Sequence, residues 1–242
     1  MAASKKVHKR SVDKPRQNQL SNIILVLPLL LIYEIGVMFT DVLNGADFIT
    51  QTILHWWGSR GFLAFQLSIL LIFISLALYL RRKQQFNMRL FLPVLMESGI
   101  YALTMGSFIV FVMTDLLGID PRLGPSFAIH EAGFFDKFIL SIGAGVYEEL
   151  VFRLMLFQGL VLVGDRLFKL RHWLAIIIAL LISSALFSLA HHLGPLGEPI
   201  RFGVFTYRML AGLFFGALYQ FRGFPIAVYT HALYDIYVLL IH

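Results

Sequence analysis

The sequence predicts an all-α fold, a polytopic membrane helix bundle of about seven transmembrane helices. Three observations lead there. Hydrophobic residues make up 58% of the 242 residues and charged residues only 14%, against roughly 45–50% and about 25% in soluble domains. A soluble protein would lack the charge to cover its surface, whereas lipid is as apolar as Leu. Seven separate stretches are also apolar for roughly 20 residues, the length a spanning helix needs. Finally, the basic residues gather in the short segments between those stretches.

The stretches run Leu20–Thr40, Phe62–Leu80, Leu90–Leu117, Phe138–Val163, Trp173–His192, Gly203–Tyr219 and Phe224–Ile241. The first follows a basic segment, as a signal peptide would, but its length and the lack of a clean small-residue cleavage site make it a retained span. The third is long enough to tilt or to break near Gly106. Between Ile119 and Asp136, Pro121, Gly124, Pro125 and Gly133 interrupt the pattern, predicting an interfacial loop or short helix. The chain reads as a basic tail over residues 1–19 and one transmembrane domain over 20–242.

Orientation follows from Lys and Arg in short loops. The tail holds Lys5, Lys6, Lys9, Arg10, Lys14 and Arg16 against Asp13 alone. With seven spans it shares one side with Arg81-Arg82-Lys83 to Arg89, with Arg166, Lys169 and Arg171, and with Arg222. The opposite loops hold only Arg60, then Arg122 and Lys137, then Arg201. A multi-pass protein of the cell or inner membrane with a cytoplasmic N-terminus is expected. Most of the net charge of +6 belongs to that tail, so it describes topology and contact with anionic headgroups, not a nucleic-acid surface. With no cysteine, disulfides, thiolate zinc sites and cysteine nucleophiles are excluded.

Charge in hydrocarbon is costly and marks function by default. The stretches hold Glu34, Glu97, Glu148, Glu149, Arg153, Arg208, His231 and Asp235, with His191 and His192 at a span end. Five carboxylates thus face two arginines. Glu149 and Arg153, spaced i, i+4, can pair on one helix face; Glu148 is turned by about 100° from that partner. His231 and Asp235 share a face in the same way, and a carboxylate one turn away can orient an imidazole. Gly143, Ala144 and Gly145 permit close helix approach.

These residues could hold one water, with a buried carboxylate taking its proton and imidazoles positioning it and steadying the oxyanion. A zinc ion on Glu148, His191 and His231 would do similar work as a Lewis acid; nothing else suggests a cofactor. Other intramembrane hydrolase plans fit less well. His130-Glu131-Ala132-Gly133-Phe134 lacks the second His of HExxH. Tyr234-Asp235 has no GxGD partner, because Leu162-Val163-Gly164-Asp165 lacks the first Gly. Gly124-Pro125-Ser126-Phe127 lies in a loop and is no rhomboid-type nucleophile. The same charged residues would also suit a transporter.

Three ordered motifs carry a family resemblance. EExxxR spans Glu148 to Arg153, FxxxH is Phe187-Ser188-Leu189-Ala190-His191, and HxxxD is His231-Ala232-Leu233-Tyr234-Asp235. Over residues 137–242 the chain resembles the CAAX protease and bacteriocin-processing family of intramembrane glutamic endopeptidases, related to the Ras-converting CAAX endopeptidase. The resemblance implies hydrolysis of a peptide bond in a membrane-associated protein or peptide. It implies that Glu148 activates water, Glu149 and Arg153 support it, His191 helps bind the water, and His231 and Asp235 stabilise the oxyanion. Non-proteolytic immunity or scaffold proteins of the family are the alternative.

Sidedness follows from depth. Glu148 lies 11 residues after Lys137, about 16 Å along a helix, and His191 lies 18 residues after Trp173, about 27 Å along its own. The motifs are expected to meet only if the fifth span tilts or continues past His191 before Gly194-Pro195 ends it. The cavity is then expected to open on the non-cytoplasmic side.

Overall fold

A computed structural model describes residues 19–40, 48–82, 88–120, 132–193, 197 and 199–241. Residues 1–18 of the basic tail, the segment holding Pro121, Gly124, Pro125, Ser126, His130 and Glu131, and the Gly194-Pro195 stop lie outside them. The described residues form seven helices and no strand. We number them α1 (Gln19–Gly36), α2 (Phe48–Arg81), α3 (Phe91–Phe111), α4 (134–166), α5 (His172–Ala190), α6 (Phe202–Arg222) and α7 (Phe224–Ile236). Short helical turns extend α1 to Phe39, α3 to Leu116 and α7 to Ile241. No break occurs at Gly106, which lies inside α3.

Among the described residues six helices are long and apolar enough to cross a membrane, all but α4. Through the middle of α4 run Glu148, Glu149 and Arg153, and its path alternates between helix types. Phe134–Gly143 is α-helical, Ala144–Glu148 and Leu150–Phe157 close the wider π turn, and Gln158–Arg166 is α-helical again. Its passage through the bundle follows from its neighbours. Beside α5 the two helices run antiparallel, and their contacts recede evenly from the turn. A Cβ on Gly164 would lie 2.8 Å from Cβ of Ala175, Phe152 meets Phe187 edge to face, and Glu148 faces His191. The C-terminal part of α4 is therefore as deep as the whole of α5.

Direction is set independently by α3 and α7, which lie parallel. The Ser98 hydroxyl donates to the Ile226 carbonyl at 3.4 Å, and two turns further on Gly106 faces the Tyr234 ring. A parallel pair of these helices requires α4, α5 and α6 each to cross between them. On the other flank α4 runs antiparallel to α1. A Cβ on Gly36 would strike Ile139 and one on Gly143 would strike Tyr33, both at 2.2 Å. Further out, the Thr40 hydroxyl donates to Asp136 at 2.5 Å.

Burial is greatest around α7. It packs against α1, α3, α4 and α6, and all its residues from Pro225 to Ala232 are buried. Pro225 lies in its first turn, where the missing N–H costs nothing. The left-handed φ of 93° at Gly223, open to glycine without strain, reverses the chain between α6 and α7.

Candidate active site

Four helices supply the site. α4 brings Glu148, Glu149 and Arg153 through two consecutive π turns. Such turns are rare and concentrate at functional sites. The α5 end contributes His191, which caps the helix with its own N–H on the Ser188 carbonyl. α7 contributes His231 and Asp235, and α6 lays Gly212 and Phe215 against them. Close approach of α4 and α7 depends on Gly145, where a Cβ would sit 2.6 Å from Cβ of Ala232 and 2.8 Å from the Val228 carbonyl oxygen.

The two adjacent carboxylates have different surroundings. Glu149 is fully buried. Its Oε1 lies 3.1 Å from Arg153 Nη1 and 2.8 Å from His231 Nδ1. Arg153 in turn donates Nη2–H to the Gly212 carbonyl at 3.1 Å. Its guanidinium carbon sits 4.5 Å above the Phe187 ring and 5.4 Å from that of Phe215. A planar cation held between two rings and a carboxylate keeps much of its stabilisation out of water.

Glu148 faces the other way. Its Oε2 is 3.5 Å from His191 Nε2 and 3.8 Å from His231 Nε2. These separations exceed an ordinary direct hydrogen bond and suit groups that share a water. His231 Nε2 is also 3.7 Å from Asp235 Oδ2. Side-chain exposure decides where the site opens: 19% for His191, 17% for Asp235 and 10% for Glu148, against 5% for His231, 2% for Arg153 and 0% for Glu149. The accessible edge is the one at the C-terminal end of α5.

Hydrogen bonds assign the imidazole protons. His191 Nδ1 lies 2.8 Å from the Phe187 carbonyl. A carbonyl only accepts, so Nδ1 carries the proton, and the neutral ring turns a lone pair at Nε2 towards Glu148. His231 donates Nδ1–H to Glu149, with its ring stacked on Phe215 at 4.3 Å between centroids and 16° between planes.

All six residues singled out in the sequence, Glu148, Glu149, Arg153, His191, His231 and Asp235, therefore come together. His192 instead stacks on Phe205. Two expectations change. Glu97 is not an interior charge: it forms a two-pronged ion pair with Arg222 at 2.5 and 2.7 Å, at the bundle edge where α3 starts beside the α6–α7 turn. His191 needs no extension of α5, which stops at Ala190. Helix α4 runs on to Arg166, so Glu148 lies 18 residues before its end and His191 lies 19 after the start of α5. Among the described residues no group of three or more His, Cys, Asp or Glu is arranged as a preformed metal site, and the reaction below is derived from the side chains alone. Phe215 and the Gly212 carbonyl were not legible beforehand, because an apolar side chain and a backbone oxygen in an apolar helix carry no sequence signal.

Residues 131–237 match the family model for type II CAAX prenyl endopeptidase, Rce1-like. The match takes in α4 to α7 and every candidate residue, and leaves α1 to α3 outside. No curated protein and no solved structure matches the chain.

Proposed function

Residues 131–237 match the Rce1-like type II CAAX prenyl endopeptidase family, and from that match we propose that the chain is an intramembrane endopeptidase whose attacking water is activated by Glu148. The observation that carries this reading is the division of labour between the carboxylates. Glu149 is committed to Arg153 and His231 at ion-pair distance. Glu148 faces two imidazole Nε2 atoms at 3.5 and 3.8 Å, beyond direct hydrogen-bond distance.

In the reaction a water donates one hydrogen to Glu148 Oε2 and the other to His191 Nε2. Glu148 takes its proton as the water oxygen bonds to the scissile carbonyl carbon. The electron pair of the C=O bond moves onto oxygen. His231, protonated on both nitrogens, keeps Nδ1–H on Glu149 and turns Nε2–H towards that oxyanion. Asp235, whose Oδ2 lies 3.7 Å from Nε2, favours the protonated ring without taking that hydrogen. Collapse breaks the C–N bond, and the proton on Glu148 passes to the leaving nitrogen. Arg153 supports the reaction by fixing Glu149, which fixes His231.

The substrate is a membrane-associated protein or peptide, and the family name makes a prenylated C-terminal segment the first to try. Glu148→Gln tests the assignment. It keeps the size of the side chain and loses the basic oxygen. Cleavage should fall by about 10²–10⁴-fold while membrane abundance stays at the wild-type level. Wild-type turnover by that variant would end the proposal.

By the charge rule the N-terminus is cytoplasmic and the accessible edge at His191 faces the non-cytoplasmic side. Single cysteines at Lys169 and Arg201, both exposed and at opposite ends of the bundle, test this in a cysteine-free chain. On intact cells an impermeant maleimide should label Arg201→Cys and spare Lys169→Cys. The reverse pattern would turn the site towards the cytoplasm.

A further inference from the structure

We infer that Glu34 of α1, outside the segment that matches the family, is a positioning residue for the water-activating carboxylate and acts through Tyr147. The inference rests on Glu148 as the base. Tyr147 immediately precedes Glu148 in the π turn Ala144–Glu148. Its hydroxyl donates to Glu34 Oε1 across the α1–α4 interface, with both side chains buried. The Tyr147 ring packs on Tyr33 at 5.1 Å between centroids.

A π turn is a marginal device. It closes i to i+5 hydrogen bonds, and the same residues reach the commoner α register by giving up one residue of slack. Such a slip would rotate Glu148 by about 100°, away from His191 and His231. The segment is therefore gripped from two sides. Towards α7, Gly145 lies against the backbone of Ala232 and Val228. Towards α1, Gly143 lies against Tyr33, and Tyr147 is tied to Glu34. Of these contacts, only the tie to Glu34 is a directional bond to a side chain in the turn. It also gives a buried carboxylate in lipid a use at the site.

The test combines Tyr147→Phe, Glu34→Gln and Glu34→Ala with their double variants. Each is assayed for kcat, KM and membrane abundance. Tyr147→Phe keeps the ring on Tyr33 and removes the hydroxyl. It should lower kcat by about 10- to 100-fold, the scale of a small misplacement of a reacting group, with KM within about twofold. Glu34→Gln retains an acceptor oxygen and should keep most of kcat, whereas Glu34→Ala should match Tyr147→Phe. The double variant Glu34→Ala, Tyr147→Phe should be no worse than either single one, since both break the same bond.

Wild-type kcat in Tyr147→Phe, or losses that multiply in the double variant, would overturn the inference. If Glu34→Ala fails to accumulate, Tyr147→Phe and Glu34→Gln decide it alone. Glu148→Gln separates this failure from the larger one. An inactive Glu148→Gln beside a fully active Tyr147→Phe removes only the role of Glu34, while an active Glu148→Gln removes the base itself.

Discussion

Helices α2 and α7 are both apolar enough to cross a membrane, yet they occupy opposite extremes of the molecule. Only 11% of the α2 span is buried inside the protein, against 50% of the α7 span. The more apolar of the two is the less buried. In a soluble protein that order would be reversed, because the apolar helix would form the core. In lipid the outside is the apolar phase, so a helix that touches few partners must be uniformly hydrophobic. A central helix can afford Thr230, His231 and Asp235, since neighbouring helices satisfy them. Leu67, Leu71 and Ile72 of α2 are exposed, whereas His231 on α7 meets Glu148, Glu149 and Asp235. Residue hydrophobicity therefore reports the surroundings of each helix, and lapses in it mark the interior where the chemistry sits.

The comparison sharpens most at Arg153, the buried counterpart of α7's polar face. Arg153→Ala would leave Glu149 a buried charge without its cation, at a cost of roughly 3–5 kcal/mol. It would also lose the packing on Phe187 and Phe215. Both membrane abundance and cleavage should drop, measured by immunoblot of washed membranes and by product formation. Normal accumulation with slow turnover would show that the pair does not hold the fold.

A smaller effect is expected at Gly145. The added methyl of Gly145→Ala would lie 2.7 Å from the Ala232 backbone nitrogen and 2.8 Å from the Val228 carbonyl oxygen. Neither atom can swing aside, so α4 and α7 must separate, at about 1–3 kcal/mol. The melting temperature in detergent should fall, and cleavage should fall further than stability alone predicts, because Glu148 moves away from His231. An unchanged melting temperature would mean that the helices are less tightly apposed than the close approach requires.

The smallest effect belongs to α2. Leu71→Ala removes apolar atoms that face lipid and leaves no cavity, so stability should change by no more than about 0.5 kcal/mol and cleavage not at all. A loss comparable to that of Gly145→Ala would show that α2 has a protein neighbour on that face and would erase the contrast with α7.

The all-α membrane class, the apolar stretches and the three motifs are readable from the order of residues alone. Each depends on local facts: apolar runs long enough for a bilayer, and ionisable residues at i, i+4 spacing on one helix face. The pairing of Glu149 with Arg153 was legible for that reason. Helix packing assigned Glu97 to Arg222 rather than to the interior. It also decided that Phe215 lies on His231, that the Gly212 carbonyl receives Arg153, and that Glu34 reaches Tyr147. Those partners are 59 to 125 residues apart, apart from the pair on α6 and α7. Uniformly apolar helices carry no pattern that says which faces will meet. The depth of Glu148 relative to His191 was hidden for a related reason, since the length of α4 depends on polar end residues that hydropathy places outside the span. Helix packing, set by glycines at close approaches and by antiparallel contacts that recede evenly from a turn, converts separate motifs into one site.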